Sequence, residues 1–250
     1  MISELNSDQR SNKVVVTANV ESSVTATLDL AIALAVASKC ELHGLFIEDV
    51  DLLRVAGLPF SREVILASGQ PRNLDSEQLL RSYRVRSRYF RQSLARHAQQ
   101  SALVWTYSTV RGNRRSIEMA QSVEAEYFII GQPTESRPST VKRKRILLID
   151  SQNPRLYQAL DVVLGDFAAQ SIELLLVSAA KPSAADSLHQ LMTKLEGHPH
   201  SSLIQITPAA LATALALKGQ PLDFVIASRR DDKLLEKIMQ LASCRMIVVC

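Results

Sequence analysis

The chain has 250 residues, long for one hydrophobic core and ample for two domains of about 110–140 residues each. Apolar residues make up 46% and charged residues 22%, which excludes a disordered chain, and net charge is +4 with a pI near 9.0. The longest unbroken apolar run, Leu30 to Ala37, is far below the roughly 20 residues of a membrane-spanning helix.

The first expected strand is Lys13 to Ala18, a β-branched run that ends in Asn19 and the turn chemistry of Glu21-Ser22-Ser23. Val24, Leu28, Ala31 and Ala35 then recur at helical spacing. A second strand, Glu41 to Ile47, stops at Glu48-Asp49, and the helix-length crossover between the two strands makes their pairing parallel. Residues 50–70 are irregular, broken by Gly57, Pro59 and Gly69. Asp75 or Ser76 opens the longest helix, to about Gln100, with an apolar stripe of Leu80, Tyr83, Phe90 and Leu94. Leu103 to Val110 is the third strand, a helix follows from Arg114 to Ala125, and Tyr127 to Ile130 is the fourth strand, closed by Gly131.

Pro133 to Thr140 is the best linker in the chain, with two prolines and no apolar periodicity. Past it the wiring restarts. Arg145 to Ile149 is a strand ending in Asp150, and a helix opens at Asn153-Pro154, where proline suits the first turn. Strands at 172–177, 203–206, 224–227 and 246–249 then alternate with helices at 184–196, 208–218 and 231–242. Strands this short and continuously apolar are buried on both faces, as in a doubly wound sheet. The boundaries are 1–140 and 141–250, and the repeat lies in the wiring, since the two halves share little residue identity.

The residues at the strand ends resemble those of universal stress protein domains. A strand, a polar loop carrying Asn19 or Asp150, and a helix resemble the family's opening, where an acidic residue closes strand one near an adenine. Val110-Arg111-Gly112 followed by Ser116-Ile117 through Ala120 resembles its strand-three exit, and Tyr127 to Gly131 its fourth strand. Leu42 to Glu63 (LHGLFIEDVDLLRVAGLPFSRE) is similar to tandem bacterial members. The resemblance implies an α/β fold of two tandem doubly wound parallel-sheet repeats, adenine nucleotide alpha hydrolase-like, the first lacking its last helix and strand. It also implies a non-enzymatic stress-response or regulatory protein, forming a homodimer or an internal pseudo-dimer. Family dimers often associate through their last strands. The fourth strand of the first repeat would then be a bare edge, which the second repeat or a second chain is expected to cover.

The resemblance also raises adenine-nucleotide binding, with ATP or AMP as ligand. Asn19 and Val20 would lie near the base, Gly112 and Arg114 or Arg115 near the phosphates, and Gly131 beside them. The sequence departs from that pattern. Nucleotide-binding members carry further glycines after strand four, whereas Gly131 is followed by Gln132-Pro133-Thr134. Phosphate cradles need glycines for close backbone approach, and none of the eight glycines lies within ten positions of another. In the second half strand four exits at Ser228-Arg229-Arg230-Asp231-Asp232, where the two acids complement a helix dipole themselves and repel an anion.

Between Arg72 and Arg115 there are ten arginines, no lysine and only the acids Asp75 and Glu77. Arg81, Arg84, Arg88 and Arg91 fall along one helical face, a docking surface for an acidic protein partner or a phosphate-bearing one. Nucleic acid would call for interleaved exposed aromatics, and Tyr83 and Phe90 read as core. The run Lys142 to Arg145 reads as a solvated linker end. His198-Pro199-His200 has no third ligand nearby, so no metal is expected. The polar start, MISELNSDQRSNK, has no signal-peptide core, and three cysteines without ligand spacing read as reduced thiols, so a cytoplasmic protein is expected. With no nucleophile elbow, HExxH or CxxC, the residues point away from an enzyme.

Overall fold

The computed structural model describes residues 12–20, 22, 24–65, 69–122, 124–131, 143–151, 153–167, 170–178, 184–207, 211, 222–229, 234–236, 238 and 244–250. The expected linker at 133–140, Lys142, the acids Asp231 and Asp232, and most of the helices at 208–218 and 231–242 lie outside those residues. Among the described residues no helix is long and apolar enough to cross a membrane.

The first half begins with β1 (Lys13–Ala18), α1 (Val24–Ser38) and β2 (Glu41–Asp49). Its residues 50–70 are more regular than the sequence indicates. They hold a short helix, α2 (Val50–Ala56), and a separate antiparallel hairpin of β3 (Arg62–Ile65) and β4 (Gln70–Asn73). Asp49, read as the stop of a strand, does end β2 and in addition caps α2, its side chain accepting from the Asp51 N–H at 2.9 Å. Gly69, just before β4, takes φ +67°, a conformation open to glycine. Then come α3 (Ser76–Gln100), β5 (Trp105–Gly112), α4 (Arg114–Gln121) and β6 (Tyr127–Ile130). The second half runs β7 (Arg143–Asp150), α5 (Pro154–Asp166), β8 (Ser171–Ser178), α6 (Ala184–Leu195), β9 (Ser202–Ile206), β10 (Phe224–Ser228) and β11 (Arg245–Val249). Asp75 caps α3 by accepting from the N–H groups of Glu77 and Gln78, and Asn153 caps α5 with Pro154 in its first turn.

The strands form one nine-stranded sheet in the order β5-β2-β1-β6-β11-β10-β7-β8-β9. Every pairing in it is parallel except one, β6 against β11. Read outward from that seam, the first half places its strands in the order fourth, first, second, third. The second half does the same from β10 outward and adds β11 at the seam. The edge of β6 is therefore covered, by a strand of the second half. In register, Ile130, Ile129, Phe128 and Tyr127 meet Met246, Ile247, Val248 and Val249.

Alternate residues of the strands face two apolar layers. Val14, Val16, Phe46, Tyr127, Ile129, Ile146, Leu148 and Ile247 pack with α1, α3 and α5. Val15, Leu45, Ile47, Phe128, Leu147, Leu175 and Val248 face the opposite side. On α3 the buried set is Leu79, Tyr83, Phe90, Ser93, Leu94 and Ala98, so Leu79 rather than Leu80 begins the inward face. The helix sits close to β2 because position 44 has no side chain: a Cβ there would come within 2.5 Å of the Leu94 side chain.

Polar contacts reinforce the seam from its flanks. The Arg155 guanidinium pairs with Glu126 at 3.1 Å and donates to the Cys250 carbonyl at 3.3 Å. The Tyr127 hydroxyl donates to Gln158 at 2.9 Å, and the Gln158 amide donates onward to the Ala37 carbonyl at 3.1 Å, tying α5 to α1.

Phe128 is fully buried in the seam, and removing its ring leaves a void between two strands that cannot close independently. Phe128→Ala is expected to lower unfolding free energy by about 3–5 kcal/mol in urea titration. A negligible change would show that β6 and β11 are not joined in solution.

Candidate functional site

Open α/β sheets bind ligands outside the carboxyl ends of their strands, where neighbouring connections leave in opposite directions. In the first half that point lies beyond β1, flanked by β2 on one side and β6 on the other. A cleft of about 240 Å³ opens there. Asn19 and Val20 from the exit of β1 form one wall, Asp49 ends β2, Asp51, Leu52 and Val55 come from α2, and Tyr83 from α3. Its character is an apolar cup with two carboxylates.

Each polar group around the cup is engaged. The Ser22 hydroxyl donates to Asn19 Oδ1 at 2.7 Å and accepts from the Asn19 N–H at 3.0 Å, closing the turn after β1. The Tyr83 hydroxyl donates to the Asp49 carbonyl at 2.9 Å, which fixes α3 over the end of β2. Asp51 accepts from Arg54 at 3.1 Å and from the Asn113 amide, so α2 is stitched to the loop that opens α4. One step further out, Arg111 pairs with Glu48 at 2.6 Å.

The structure thus brings Asn19 and Val20 into the cleft and leaves the other expected residues outside its walls. Gly112 pairs in register with Asp49, beside the cup, and its face is covered by Ile117, which a Cβ would approach to 3.0 Å. Arg114 turns back along α4 and pairs with Glu118 at 2.8 Å, while Arg115 is exposed. Gly131 lies at the exit of β6 against the start of α1, where a Cβ would meet Thr27 at 3.1 Å. Asp150 ends β7 opposite Ser178, and nothing further is described of its side chain. The acids Asp49 and Asp51 and the wall residues Leu52, Val55 and Tyr83 are the members that sequence reading missed. The acidic pair at the end of the second strand was the visible signal.

Arg81, Arg84, Arg88 and Arg91 are all exposed along α3, as the spacing indicates. Arg81 pairs with Glu77 at 3.4 Å and Arg91 stands over the Tyr107 ring at 5.9 Å, while Arg84 and Arg88 make no ion pair among the described residues. Tyr83 and Phe90 are buried, but Tyr89 and Val85 emerge among the arginines, 46% and 68% exposed.

The cysteines are unpaired thiols, with Cys40 and Cys244 buried and Cys250 partly so. Burial pushes the Cys40 and Cys244 thiols up to about 12, so both stay protonated and act as packing. Among the described residues no group of three or more His, Cys, Asp or Glu is placed to hold a metal ion.

No protein-family model matches the sequence, and no curated protein matches it. Among solved structures, the chain is similar to a universal stress protein from Archaeoglobus fulgidus DSM 4304. The TM-score is 0.43 at 11% identity, over 96% of this chain and 97% of that one. Likeness at this level leaves the site chemistry to be read from the residues above.

Glu118 is buried, and loss of hydration outweighs its pairing with Arg114, holding its carboxyl above the ordinary value of 4.5. The folded state therefore binds this proton more tightly than the unfolded chain. Its contribution to stability is full below pH 4.5 and is lost as pH rises through the raised value. Glu118→Gln is expected to flatten the fall of stability between pH 4.5 and neutrality in urea titrations. An unchanged slope would remove Glu118 as its source.

Proposed function

We infer that the chain is a non-catalytic binding protein of the universal stress protein type, serving a stress-response or regulatory role. Two repeats, 1–140 and 141–250, form an internal pseudo-dimer about the β6–β11 seam, and the cleft of the first takes a small ligand. One observation carries this reading. Asp49, Asp51, Glu48, Arg111, Arg114 and Asn19 are each committed to a cap, an ion pair or a turn that holds the fold. General acid–base or nucleophilic work needs a group poised toward substrate, and these side chains point their chemistry at one another. What they leave to a ligand is shape, apolar contact and hydrogen bonding.

The same arrangement selects the class of ligand. At about 240 Å³ the cleft falls below the roughly 300–1,000 Å³ of sites for drug-sized molecules. Its carboxylates oppose a phosphate: Arg54 offsets Asp51 at 3.1 Å but leaves Asp49, and Arg114 and Arg111 are each paired elsewhere. A nucleoside fits better: an apolar base against Val20, Leu52, Val55 and Tyr83, with hydroxyls toward Asp49 and Asp51. The nucleotide reading keeps one point in its favour, that Asn19 and Val20 do line the cleft. The arginine face of α3 supports a second activity, docking of an acidic protein, because Arg84 and Arg88 are exposed and make no ion pair among the described residues.

Thermal denaturation with adenosine, AMP and ATP separates these readings. A ligand at one hundred times its dissociation constant stabilises the native state by about 2.7 kcal/mol. The expected order of melting shifts is adenosine, then AMP, then ATP, with all of them lost in Val20→Trp. A larger shift with ATP than with adenosine would restore the nucleotide reading. No shift with any of them would dismiss the cleft as a purine site.

A further inference from the structure

Four of the nine exposed large apolar side chains among the described residues fall within residues 55–64: Val55, Leu58, Phe60 and Val64, at 47%, 60%, 95% and 57% exposure. Single exposed apolar residues are ordinary, but four within ten positions, from the end of α2 through the turn to β3, mark an interaction surface. The turn is built to present them. The Leu58 N–H donates to the Val55 carbonyl at 3.1 Å and the Ser61 N–H to the Leu58 carbonyl at 3.3 Å. The Ser61 hydroxyl donates to the Val55 carbonyl, and the Leu74 N–H reaches back from the hairpin to the Ser61 carbonyl at 2.9 Å. Phe60 itself takes φ 72°, a left-handed conformation unfavourable for a bulky side chain. The fold thus accepts local strain while leaving a phenyl ring in water, a combination that calls for a partner.

Val55 belongs both to this knob and to the wall of the cleft, so the two are neighbours on one surface. They are also complementary. The knob is apolar except for Arg62, which lies between Phe60 and Val64, exposed and without an ion pair among the described residues. The cleft is an apolar cup lined by the carboxylates of Asp49 and Asp51, of which Asp51 is paired with Arg54 at 3.1 Å and Asp49 with no cation among the described residues. A knob beside a hole of matching polarity on the same chain is self-complementary about a two-fold axis, since each copy offers what the other lacks.

We propose that two copies of this chain associate through this surface, Phe60 of each entering the cleft of the other and Arg62 facing the acids at its rim. Leu58 and Val64 seal the contact from outside, as the surround of an interface anchor does. The consequence is that each cleft is completed by the other copy, and that Phe60 and a small ligand exclude one another. The inference does not depend on what that ligand is.

Sedimentation velocity of the full chain, from low micromolar to several hundred micromolar, tests it directly. The expected result is a reversible monomer–dimer equilibrium. Phe60→Asp, at a position 95% exposed and so harmless to the monomer fold, raises the dissociation constant by at least about tenfold. Arg62→Glu weakens association in the same direction, and Val20→Trp, which fills the cup, abolishes it in chains whose melting is unchanged. A wild-type chain that stays monomeric throughout overturns the proposal and leaves the knob for a different protein. So does a dimer indifferent to Phe60→Asp. A dimer sensitive to Phe60→Asp but not to Val20→Trp overturns the assignment of the cleft as the receiving site.

Discussion

The structure depends on one antiparallel pairing. Without β11, β6 would present a row of unpaired backbone groups on one side and four buried apolar residues to solvent. Without β6, β11 would do the same. Among the described residues neither half offers another strand to cover its own inner edge. Joining them turns two open sheets into one whose outer strands, among the described residues, are β5 and β9 on either side. The ion pair of Arg155 with Glu126 and the Tyr127–Gln158–Ala37 chain of hydrogen bonds then hold α1 and α5 across the junction. These polar contacts fix orientation more than they stabilise, because partly exposed pairs contribute little beside buried apolar contact.

From the seam outward, the placement of the cleft follows. β1 lies next to β6 and β2 next to β1, so their carboxyl ends stand side by side. Glycine at position 44 lets α3 settle onto β2, which carries Tyr83 to within 2.9 Å of the Asp49 carbonyl. Asp49 in turn caps α2 and sets the angle at which Leu52 and Val55 face the cup. A binding surface results from groups whose first duty is structural. The charge of such a site is set by what the fold requires rather than by the demands of a reacting substrate.

The sequence made the frame legible. Strands of uninterrupted β-branched and aliphatic residues, and caps such as Asp75 and Asn153, locate nearly every large element within a residue or two. Even the need to cover β6 could be argued from the missing strand after it. The region between Val50 and Asn73 was not legible, because Gly57, Pro59 and Gly69 mark chain reversals without saying what lies between them. The site was half legible for a different reason. Asn19 and Val20 follow from the exit of a first strand, but Leu52, Val55 and Tyr83 meet them through long-range packing that no local pattern records. Charge misled in the same way: Arg114 looks available on paper, and a turn later along α4 its own Glu118 claims it.

The seam also sets an order of events for a chain that is made from one end. Translation proceeds at about 5–20 residues per second, so β6 leaves the ribosome many seconds before residues 245–249 exist. During that interval the first half can wind its own helices and strands yet must keep an apolar edge waiting, with every neighbouring nascent chain a wrong partner within reach. Pairing of segments so distant in sequence is intrinsically slow even once both are present. The junction that makes the finished protein a single continuous sheet is, for the growing one, its longest period of vulnerability, and the point at which a holding chaperone has most to do.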